Sequence, residues 1–368
     1  MNKCRRCLLP ATAPGAELDA NRVCRFCREY RPTDHIASEQ QRLLREADLE
    51  QALQGCRGQG EYDCMVCLSG GKDSVYLLYK LKVEYGLKVL AYTTNASVPP
   101  IAWDNIVRSV AALDAEHLVY TPPRSAYRKM FRFLLRNQEQ RGAVHTVSYV
   151  YAPLFEGDAL KFAVEKNIPL ILAGYSPGQP DPERMFYEFP RRAISEVDWT
   201  PPELRDSGVL DETELGLFWN PHRYPAGTRF PRFLAPFHAW QYNQEHIMKQ
   251  VVKLGLVAKR KYANPIYSND LMNWLLMYSD LKNFGYNPYA PEFSALIREG
   301  KANRLYWKIM GPAVDFMIRH KVYLGRNVDT SMRWLDLQPE DLVIRRPRRP
   351  EWPDFVEHHW NTPAGGSA

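Results

Sequence analysis

The stretch DCMVCLSGGKDSVYLLYKL, residues 63–81, places a glycine-rich loop between two segments of different periodicity. Residues 61–68 are short and apolar, which is typical of a strand buried on both faces of a parallel sheet. After the loop, leucines recur at helical spacing. A strand, a glycine-rich turn and a helix N-terminus form an anion site, because free backbone N–H groups and the helix dipole point at the ligand. The stretch therefore predicts a phosphate-binding loop.

The loop does not fit the Walker pattern, which requires Gly-x-x-x-x-Gly-Lys-Ser/Thr. Val66 occupies the first glycine position, and Asp73 stands where the pattern needs a hydroxyl. Residues 69–74, SGGKDS, instead match all six positions of the SGGxDS motif of the PP-loop ATP pyrophosphatases, and the chain resembles that superfamily. The resemblance implies an enzyme that cleaves ATP between the α- and β-phosphates and transfers AMP to a carbonyl or amide oxygen.

The same resemblance assigns roles within the loop. Four small residues would cradle the pyrophosphate portion of ATP: Ser69, Gly70, Gly71 and Ser74. Lys72 would offset the charge of the pyrophosphate, and Asp73 would hold Mg²⁺. These roles agree with the chemistry, since a developing pyrophosphate needs preplaced donors and a metal ion. The predicted catalytic set is Ser69, Lys72, Asp73 and Ser74, with ATP and Mg²⁺ as cofactors; the alternative is a glycine turn without a ligand.

Strand and helix patterns alternate downstream of the loop, with strands expected in 87–95, 116–122 and 168–176. This alternation predicts an α/β fold, a parallel sheet with helices on both faces, of the type found in the PP-loop superfamily. Ligands of such sheets bind beyond the carboxyl ends of the strands. Thr93, Gly174 and Ser176 fall at such ends and are predicted nucleotide contacts. A helix cap at Thr93 and an ordinary turn at 174–176 are the alternatives.

All seven cysteines lie at or before Cys67, so a disulfide framework that staples the whole fold is excluded. Four of them form two Cys-x-x-Cys pairs with the spacing of a zinc ribbon: Cys4, Cys7, Cys24 and Cys27. So short a unit cannot fold on hydrophobic burial alone, and the metal would supply its folding energy. The sequence predicts structural Zn²⁺; an iron–sulfur cluster on the same thiolates is the alternative.

The distribution of proline and aromatic residues divides the chain into further segments. Ten of the 28 prolines fall in 177–236 together with many aromatic residues, which predicts an ordered insertion or lid near the nucleotide site rather than a flexible linker. The predicted segments are a zinc ribbon at 1–34, a helical linker at 35–60, a PP-loop ATP-binding domain at 61–176, the insertion or lid at 177–236, a helical C-terminal region at 237–337 and a Pro/Arg-rich, poorly ordered tail at 338–368.

The bulk composition describes an ordinary globular chain of 368 residues with a net charge of +6. No apolar run is long enough for a membrane helix, and the first ten residues lack the apolar segment of a secretory signal. We therefore expect a cytoplasmic protein without a membrane partner. The basic excess of residues 1–31, seven Lys/Arg against three Asp/Glu, is interpreted as solvated surface in preference to a nucleic-acid site.

The Cys₄ pattern, the SGGKDS loop and the segment GYNPYAPEFSALIREGKANR (285–304) occur together. In this combination the chain resembles the N-acetyl sugar amidotransferase family. The resemblance implies a small-molecule acceptor whose acetamido group is adenylated and then converted by ammonia to an acetamidino group. No cysteine follows Cys67 to serve as the nucleophile of a glutaminase. Ammonia would come from a separate glutaminase partner, which the family favours, or from solution.

Two other functions remain open. A sulfurtransferase of the same superfamily, acting on a tRNA base or a small molecule, is favoured by a third Cys-x-x-Cys pair, Cys64 and Cys67. A strand would place these two thiols on opposite faces, where each acts as a small hydrophobe. A non-catalytic zinc-ribbon/ATP-binding regulator is the third function, and the intact Lys72–Asp73 pair argues against it. A homodimer through the C-terminal helices also remains open.

Overall fold

The computed structural model describes residues 2–31, 34–177, 187–264 and 271–347. Its centre is a five-stranded parallel sheet of order β3-β2-β1-β5-β6, and a second sheet pairs β4 with β7. The strands are β1 (Cys64–Cys67), β2 (Val89–Thr94), β3 (Glu116–Tyr120), β4 (Gln138–Glu139), β5 (Leu170–Ala173), β6 (Arg232–Leu234) and β7 (Ile344–Arg346).

Helices cover both faces of the sheet and build most of the C-terminal half. They are α1 (Arg25–Glu29), α2 (Asp34–Gly55), α3 (Lys72–Tyr79), α4 (Pro100–Ala112), α5 (Arg124–Arg136), α6 (Ala143–Glu165), α7 (Arg191–Glu196), α8 (Pro202–Ser207), α9 (Glu212–Leu215), α10 (Gln244–Lys253), α11 (Met272–Phe284), α12 (Ala290–Arg298), α13 (Arg304–Arg319) and α14 (Asn327–Leu335). A π-helical turn, Lys80–Glu84, prolongs α3. Short 3₁₀ turns lie at Pro221–Arg223, Pro236–His238, Arg260–Ala263, Tyr323–Arg326 and Pro339–Asp341.

Strand β1 is the middle strand, and its apolar sequence follows from burial on both faces. Cys64 and Val66 pack with α2, α3, α4 and α10, whereas Met65 packs on the other face with α6. The predicted fold class is therefore confirmed: a parallel sheet between helices, preceded by a compact four-cysteine unit and followed by a mainly helical region. No helix within the described ranges combines the length and the apolar character needed to cross a membrane.

The C-terminal helices pack around a core of their own. Leu134, Val147, Leu275 and Ile318 meet there from α5, α6, α11 and α13. Helix α6 joins this core to the sheet, because its first half packs among these helices and its second half against the strands. The buried Asp280 carboxylate accepts hydrogen bonds from the first backbone N–H groups of α6 and so fixes α11 to that helix end. Sheet and helical region are thus held in one relative position by α6.

Two predicted segment boundaries need correction. The segment 35–60 is not a linker, since Leu49 and Leu53 of α2 are buried in the core beside the sheet. The range 177–236 is not a separate insertion, because its strand β6 pairs with β5 and extends the sheet. Its aromatic residues are buried rather than placed over a site: Tyr187, Phe189, Trp199 and Trp219 lie in the cores on the two faces of the sheet, and Phe218 lies in the core of the C-terminal helices. Phe186 lies outside the described residues.

The predicted tail also begins later than expected. Leu342 is fully buried among the C-terminal helices, and β7 pairs in parallel with β4. Residues 338–347 therefore belong to the fold, because the chain returns to the segment that links α5 to α6. The remainder of the predicted tail, 348–368, lies outside the described residues.

The four-cysteine unit rests on the C-terminal helices. The Arg304 guanidinium donates hydrogen bonds to the backbone carbonyls of Arg5 and Arg6, at 2.5 and 2.9 Å. Tyr286 and Ile297 pack against the apolar residues of the unit. These contacts bring the N-terminal end of the chain beside α12 and α13, far away in sequence.

Candidate active site

A cavity of about 500 Å³ opens at the carboxyl ends of β1, β2 and β5; we call it the central cavity. Its other walls come from α11, α12 and α13 and from the four-cysteine unit, through Lys3, Cys7 and Leu8. The structure brings every residue predicted to bind the nucleotide to its lining: Ser69, Gly70, Gly71, Lys72, Asp73, Ser74, Thr93, Gly174 and Ser176. No residue of 187–236 lines it, which corrects the prediction of a lid in the described part of that range.

The loop after β1 has a backbone that only glycine fits at one position. Gly70 has φ of +77°, and a Cβ there would overlap the carbonyl oxygen of Ala102 in α4. The Asn105 side-chain amide, one turn further along α4, donates a 3.0 Å hydrogen bond to the Gly70 carbonyl. Helix α4 therefore fixes the loop through the close contact of Ala102 with Gly70 and the hydrogen bond from Asn105. The glycine that sequence analysis assigned to ligand approach is also required by this packing.

Hydroxyl groups close the loop on itself at the start of α3. The Ser74 hydroxyl donates to the Gly71 carbonyl at 3.1 Å and accepts a 3.2 Å hydrogen bond from the Ser69 N–H group. The two serine hydroxyls are 3.1 Å apart. Gly71 is the N-cap of α3 and makes no side-chain cap, so the first turn of the helix keeps N–H groups for an anion.

Gly174 lies directly against that first turn. A Cβ at Gly174 would be 2.7 Å from the Ser74 backbone nitrogen, so only glycine permits the loop after β5 to come this close. Ser176, two residues on, is buried and hydrogen-bonds to Tyr242. The loops after β1 and β5 therefore form one continuous edge of the central cavity.

Lys72 and Asp73 form a partly enclosed ion pair at this edge. The Lys72 ammonium lies 2.6 Å from Asp73 Oδ2, and the Tyr242 hydroxyl donates a 3.2 Å hydrogen bond to Asp73 Oδ1. Burial alone would lower the pKa of Lys72, but the charge of Asp73 and the Tyr242 side chain raise that pKa above its ordinary value. The ammonium therefore stays charged. Asp73 is the carboxylate that could hold Mg²⁺ together with phosphate oxygens.

Thr93 lines the central cavity, but its hydroxyl is already engaged. It donates a 2.6 Å hydrogen bond to the Leu68 carbonyl, and the His117 Nε2 atom lies 2.9 Å from the Thr93 hydroxyl oxygen. Burial lowers the pKa of His117, so its ring favours the neutral form. Thr93 thus ties β2 to the strand end that carries the loop, and its side-chain oxygen is directed into the sheet.

Sequence reasoning missed three residues of the site. Asn105 and Tyr242 hold the loop and the ion pair, and Glu292 of α12 lines the central cavity within electrostatic reach of that pair. Burial raises the pKa of the Glu292 carboxyl to about 8, with Lys72 opposing and Asp73 reinforcing the shift. Of the three, only Asn105 could have been found from the sequence, because it is a polar residue on the inner face of a predicted helix. The other two come from segments distant in sequence.

The four N-terminal cysteines form a metal-binding group. Their sulfur atoms all lie within 4.8 Å of one another, and all four residues are buried. Cys4 and Cys27 sulfurs are 3.8 Å apart, and those of Cys7 and Cys24 are 3.5 Å apart. The backbone N–H of Cys24 donates to the Cys4 sulfur at 3.3 Å, a bond that stabilises a thiolate ligand.

Cys64 and Cys67 lie on opposite faces of β1, as the strand period predicts. Cys64 is fully buried in the core with α2 and α3, whereas Cys67 is half-buried and lines the central cavity. Burial raises the pKa of both thiols. The two sulfurs therefore face different environments, and neither is placed to ionise readily.

Comparisons with known proteins do not establish the function of this chain, so the function is argued from the site itself. No protein-family model and no curated protein matches the chain. Among solved structures, the U34-tRNA thiolase NcsA from Methanococcus maripaludis with its [4Fe-4S] cluster aligns over 91% of this chain and 89% of its own, with 13% identity and a TM-score of 0.34. NMN synthetase from Francisella tularensis aligns over 86% of this chain and 99% of its own, with 10% identity and a TM-score of 0.36.

Proposed function

We propose that this protein is a PP-loop ATP pyrophosphatase that adenylates an amide or carbonyl oxygen and releases pyrophosphate, after which ammonia displaces AMP. The observation that carries the proposal is the Lys72–Asp73 pair on a glycine loop at the first turn of α3, facing a cavity of about 500 Å³. That volume lies within the range of small-molecule sites. The six-residue SGGKDS motif supplies the reaction class.

The site supports binding of the ATP phosphates at the loop. Backbone N–H groups at the start of α3 would meet the phosphate oxygens, and the Lys72 ammonium would offset their charge. Asp73 would hold Mg²⁺ jointly with those oxygens. Mg²⁺, when bound with ATP, offsets the negative charge that develops on the departing pyrophosphate. The loop residues therefore favour cleavage at the α-phosphate by stabilising the leaving group.

The acceptor side of the central cavity is aromatic with a few amides. Trp274, Trp307 and Phe293 line it, and the rings of Phe293 and Trp307 stack with centroids 3.5 Å apart. Aromatic faces suit the apolar faces of a sugar ring, and Asn273 and Asn287 add polar groups that can orient its substituents. These residues support an N-acetyl sugar or a related small molecule as the acceptor.

We propose Zn²⁺ for the four-cysteine group. A tetrahedral Zn²⁺ with Zn–S bonds of about 2.3 Å holds its sulfurs roughly 3.8 Å apart, and two of the pairs measure 3.8 and 3.5 Å. A four-iron cluster is larger than one ion and would spread the four ligands further. Four protein ligands close the coordination shell, so the ion would hold the fold of this unit rather than act on substrate.

We also propose that ammonia is delivered by a separate glutaminase subunit. All seven cysteines lie in the first 67 residues, and six of them are buried in the metal group or in the sheet core. The seventh, Cys67, has a raised pKa because of burial. This chain therefore offers no thiol suited to hydrolyse glutamine.

Sulfur transfer is the second candidate, favoured by the position of Cys67 on the wall of the central cavity. A persulfide carrier must first act as a thiolate, and burial raises the pKa of Cys67. Cys64 cannot assist it, because that side chain points to the other face of β1. These features favour nitrogen over sulfur as the nucleophile.

A product analysis tests both candidates. The protein is given ATP, Mg²⁺ and either acetamido sugars or unmodified tRNA, with ammonium or with sulfide, and AMP and the acceptor mass are followed. A mass change of about −1 with AMP release is expected, since adenylation makes the oxygen the leaving group. A change of about +16 would instead establish sulfur transfer. Absence of AMP under every condition would contradict both candidates and would indicate a non-catalytic ATP-binding protein.

A pair of variants links the activity to the loop. Lys72→Ala should lower the rate of AMP formation by about 100-fold or more, because it removes the charge facing the pyrophosphate. Lys82→Ala, on the π-helical turn that prolongs α3, is the matched control and should leave the rate unchanged. Equal rates for the two variants would contradict the assignment of the nucleotide site.

A further inference from the structure

Glu292 places a second carboxyl group on the central cavity. It lies in the first turn of α12, is half-buried, and lines the same cavity as the Lys72–Asp73 pair. Its carboxylate makes no hydrogen bond and no ion pair with any residue in the described part of the chain. A carboxyl group aimed into a cavity without a partner has its oxygens available to a bound molecule.

Two of the charged groups around Glu292 are paired with each other. Lys72 is paired with Asp73 at 2.6 Å, and the second oxygen of Asp73 accepts from Tyr242. On the other walls, Asp315 of α13 accepts from Asn287 at 3.2 Å, and Lys3 also lines the cavity. The charges of Lys72 and Asp73 act on the Glu292 carboxyl in opposite senses. Burial dominates instead and raises the pKa of Glu292 to about 8, near the pH at which a carboxyl can both take up and give back a proton.

The proposed displacement needs a proton acceptor at this position. When ammonia adds to the adenylated carbon, its nitrogen becomes positively charged, and it must lose a proton before AMP can leave. Lys72 is protonated and Asp73 is held by two partners, so neither accepts that proton. His117 is hydrogen-bonded to Thr93, which itself binds the Leu68 carbonyl inside the sheet.

We propose that Glu292 is the catalytic base that accepts the proton from the attacking nitrogen, an inference that rests on the proposed amidotransfer. In this step a C–N bond forms as ammonia adds to the adenylated carbon. One N–H proton passes to the Glu292 carboxylate. The C–O bond to AMP then breaks, and its electron pair leaves on the phosphate oxygen of AMP. The product keeps two nitrogens on the former amide carbon, and Glu292 returns its proton to solvent.

Adenylation requires no such proton transfer, because a neutral amide oxygen attacks the α-phosphorus and pyrophosphate departs. The two half-reactions therefore separate the roles of the loop and of Glu292. Acceptor-dependent exchange of labelled pyrophosphate into ATP reports adenylation. Formation of the amidine, measured by mass, reports the displacement. A residue that served only the fold would affect both rates together.

The test compares three variants of the full chain in both assays. Glu292→Gln keeps the shape of the side chain but removes the base, so amidine formation should fall by about 10²–10⁴-fold while pyrophosphate exchange stays within about 2-fold. Glu292→Asp should recover part of the lost rate. Glu299→Gln is the matched control, since Glu299 follows the same helix but pairs with Lys301 at 2.7 Å. It should behave as the native protein.

A pH profile supplies a second readout. At a constant concentration of un-ionised ammonia, the native rate should rise as pH increases through about 8 and then level, because only the deprotonated Glu292 can act as a base. The Glu292→Gln variant should show no such rise. Lys72 and Asp73 remain in place in this variant, so a rise that persists would assign the titration to another group.

The outcomes distinguish the inference from the function on which it rests. Amidine formation by Glu292→Gln at the native rate would overturn the inference alone. An equal loss of exchange and of amidine formation would also overturn it and would make Glu292 a second ligand of Mg²⁺ or ATP. Absence of exchange and of AMP in the native protein would overturn the proposed function, and the role of Glu292 with it.

Discussion

The chain uses the Cys-x-x-Cys spacing in two regions with opposite results. In the N-terminal unit the backbone turns between and around the cysteines, with Leu8 at φ of +68°, and four sulfurs converge within 4.8 Å. In β1 the backbone is extended, so Cys64 and Cys67 point to opposite faces of the sheet. Spacing therefore indicates a ligand pair only where the intervening residues form a turn. The conformation between the cysteines decides whether they can share a metal.

The two Cys-x-x-Cys regions should differ most in how the loss of one cysteine affects the metal content of the protein. Cys24→Ser removes one of four thiolates, so the purified protein should lose its bound metal almost completely, and the N-terminal unit should unfold because metal binding supplies about 10–16 kcal/mol to such sites. Elemental analysis and thermal unfolding measure both effects. Cys67→Ser is the control and should retain a full equivalent of metal. Full occupancy in Cys24→Ser would contradict a four-thiolate site.

Cys64 and Cys67 of β1 should react more slowly with alkylating reagents than an ordinary exposed cysteine. Burial raises the pKa of Cys64 and Cys67, so little thiolate is present at neutral pH, and alkylation should accelerate as pH rises. At pH 7 we expect iodoacetamide to label both residues at least ~100-fold more slowly than free cysteine, since each unit of pKa above the pH costs tenfold in thiolate. Peptide mass spectrometry gives the rates. Rapid labelling of Cys67 would favour sulfur transfer.

The core role of Cys64 predicts a moderate change in stability without a change in metal content. Its side chain is fully buried among Val66, Leu77 and other apolar residues, so Cys64→Ser places a hydroxyl in an apolar environment. The free energy of unfolding should fall by about 1–3 kcal/mol. Urea unfolding measures it, with Cys64→Ala as the apolar control. An unchanged midpoint would show that the hydroxyl finds a hydrogen bond inside the core.

The smallest effect should come from a neighbour of the metal group. The Arg298 guanidinium lies 3.7 Å from the Cys7 sulfur and 5.4 Å from the centre of the Phe26 ring, so it partly offsets the negative charge of the thiolates. Arg298→Gln should weaken metal binding by about 10-fold. A chelator competition measures the affinity, and Arg108→Gln is the control, since Arg108 is exposed on α4 beside Asp104. Equal affinities would show that Arg298 only packs against the unit.

The local elements of the site could be predicted from sequence, because their signals are contiguous. Residues 61–68, the loop and α3 form one unbroken run, and the spacing of the N-terminal cysteines is likewise short-range. The strand Arg232–Leu234 could not be recognised, since three residues are too few to show a period and prolines stand near both ends. Its pairing with β5 is a tertiary contact, and the nearby prolines argue against a strand when only the sequence is read.

The remainder of the site depends on contacts between distant segments. Tyr242 reaches Asp73 across 169 positions, and Glu292 approaches the same pair from α12. Neither residue type nor local pattern indicates such a meeting. Thr93 shows the converse difficulty: its position at a strand end was predicted, but the hydroxyl is directed to the Leu68 carbonyl. Sequence located the edge of the sheet where the site lies, whereas packing selected the side chains around it.

The N-terminal unit forms a wall of the central cavity through Lys3, Cys7 and Leu8, and one of these residues is itself a metal ligand. Under the proposed function, a chelator would therefore weaken acceptor binding, although it touches neither the loop nor the sheet. Removing the ion would open the cavity to water on one side, while the edge formed by the loops after β1 and β5 stays in place. On that proposal, bound ATP would then be exposed to hydrolysis instead of transfer, and the metal supply would set how much of the ATP consumed yields product.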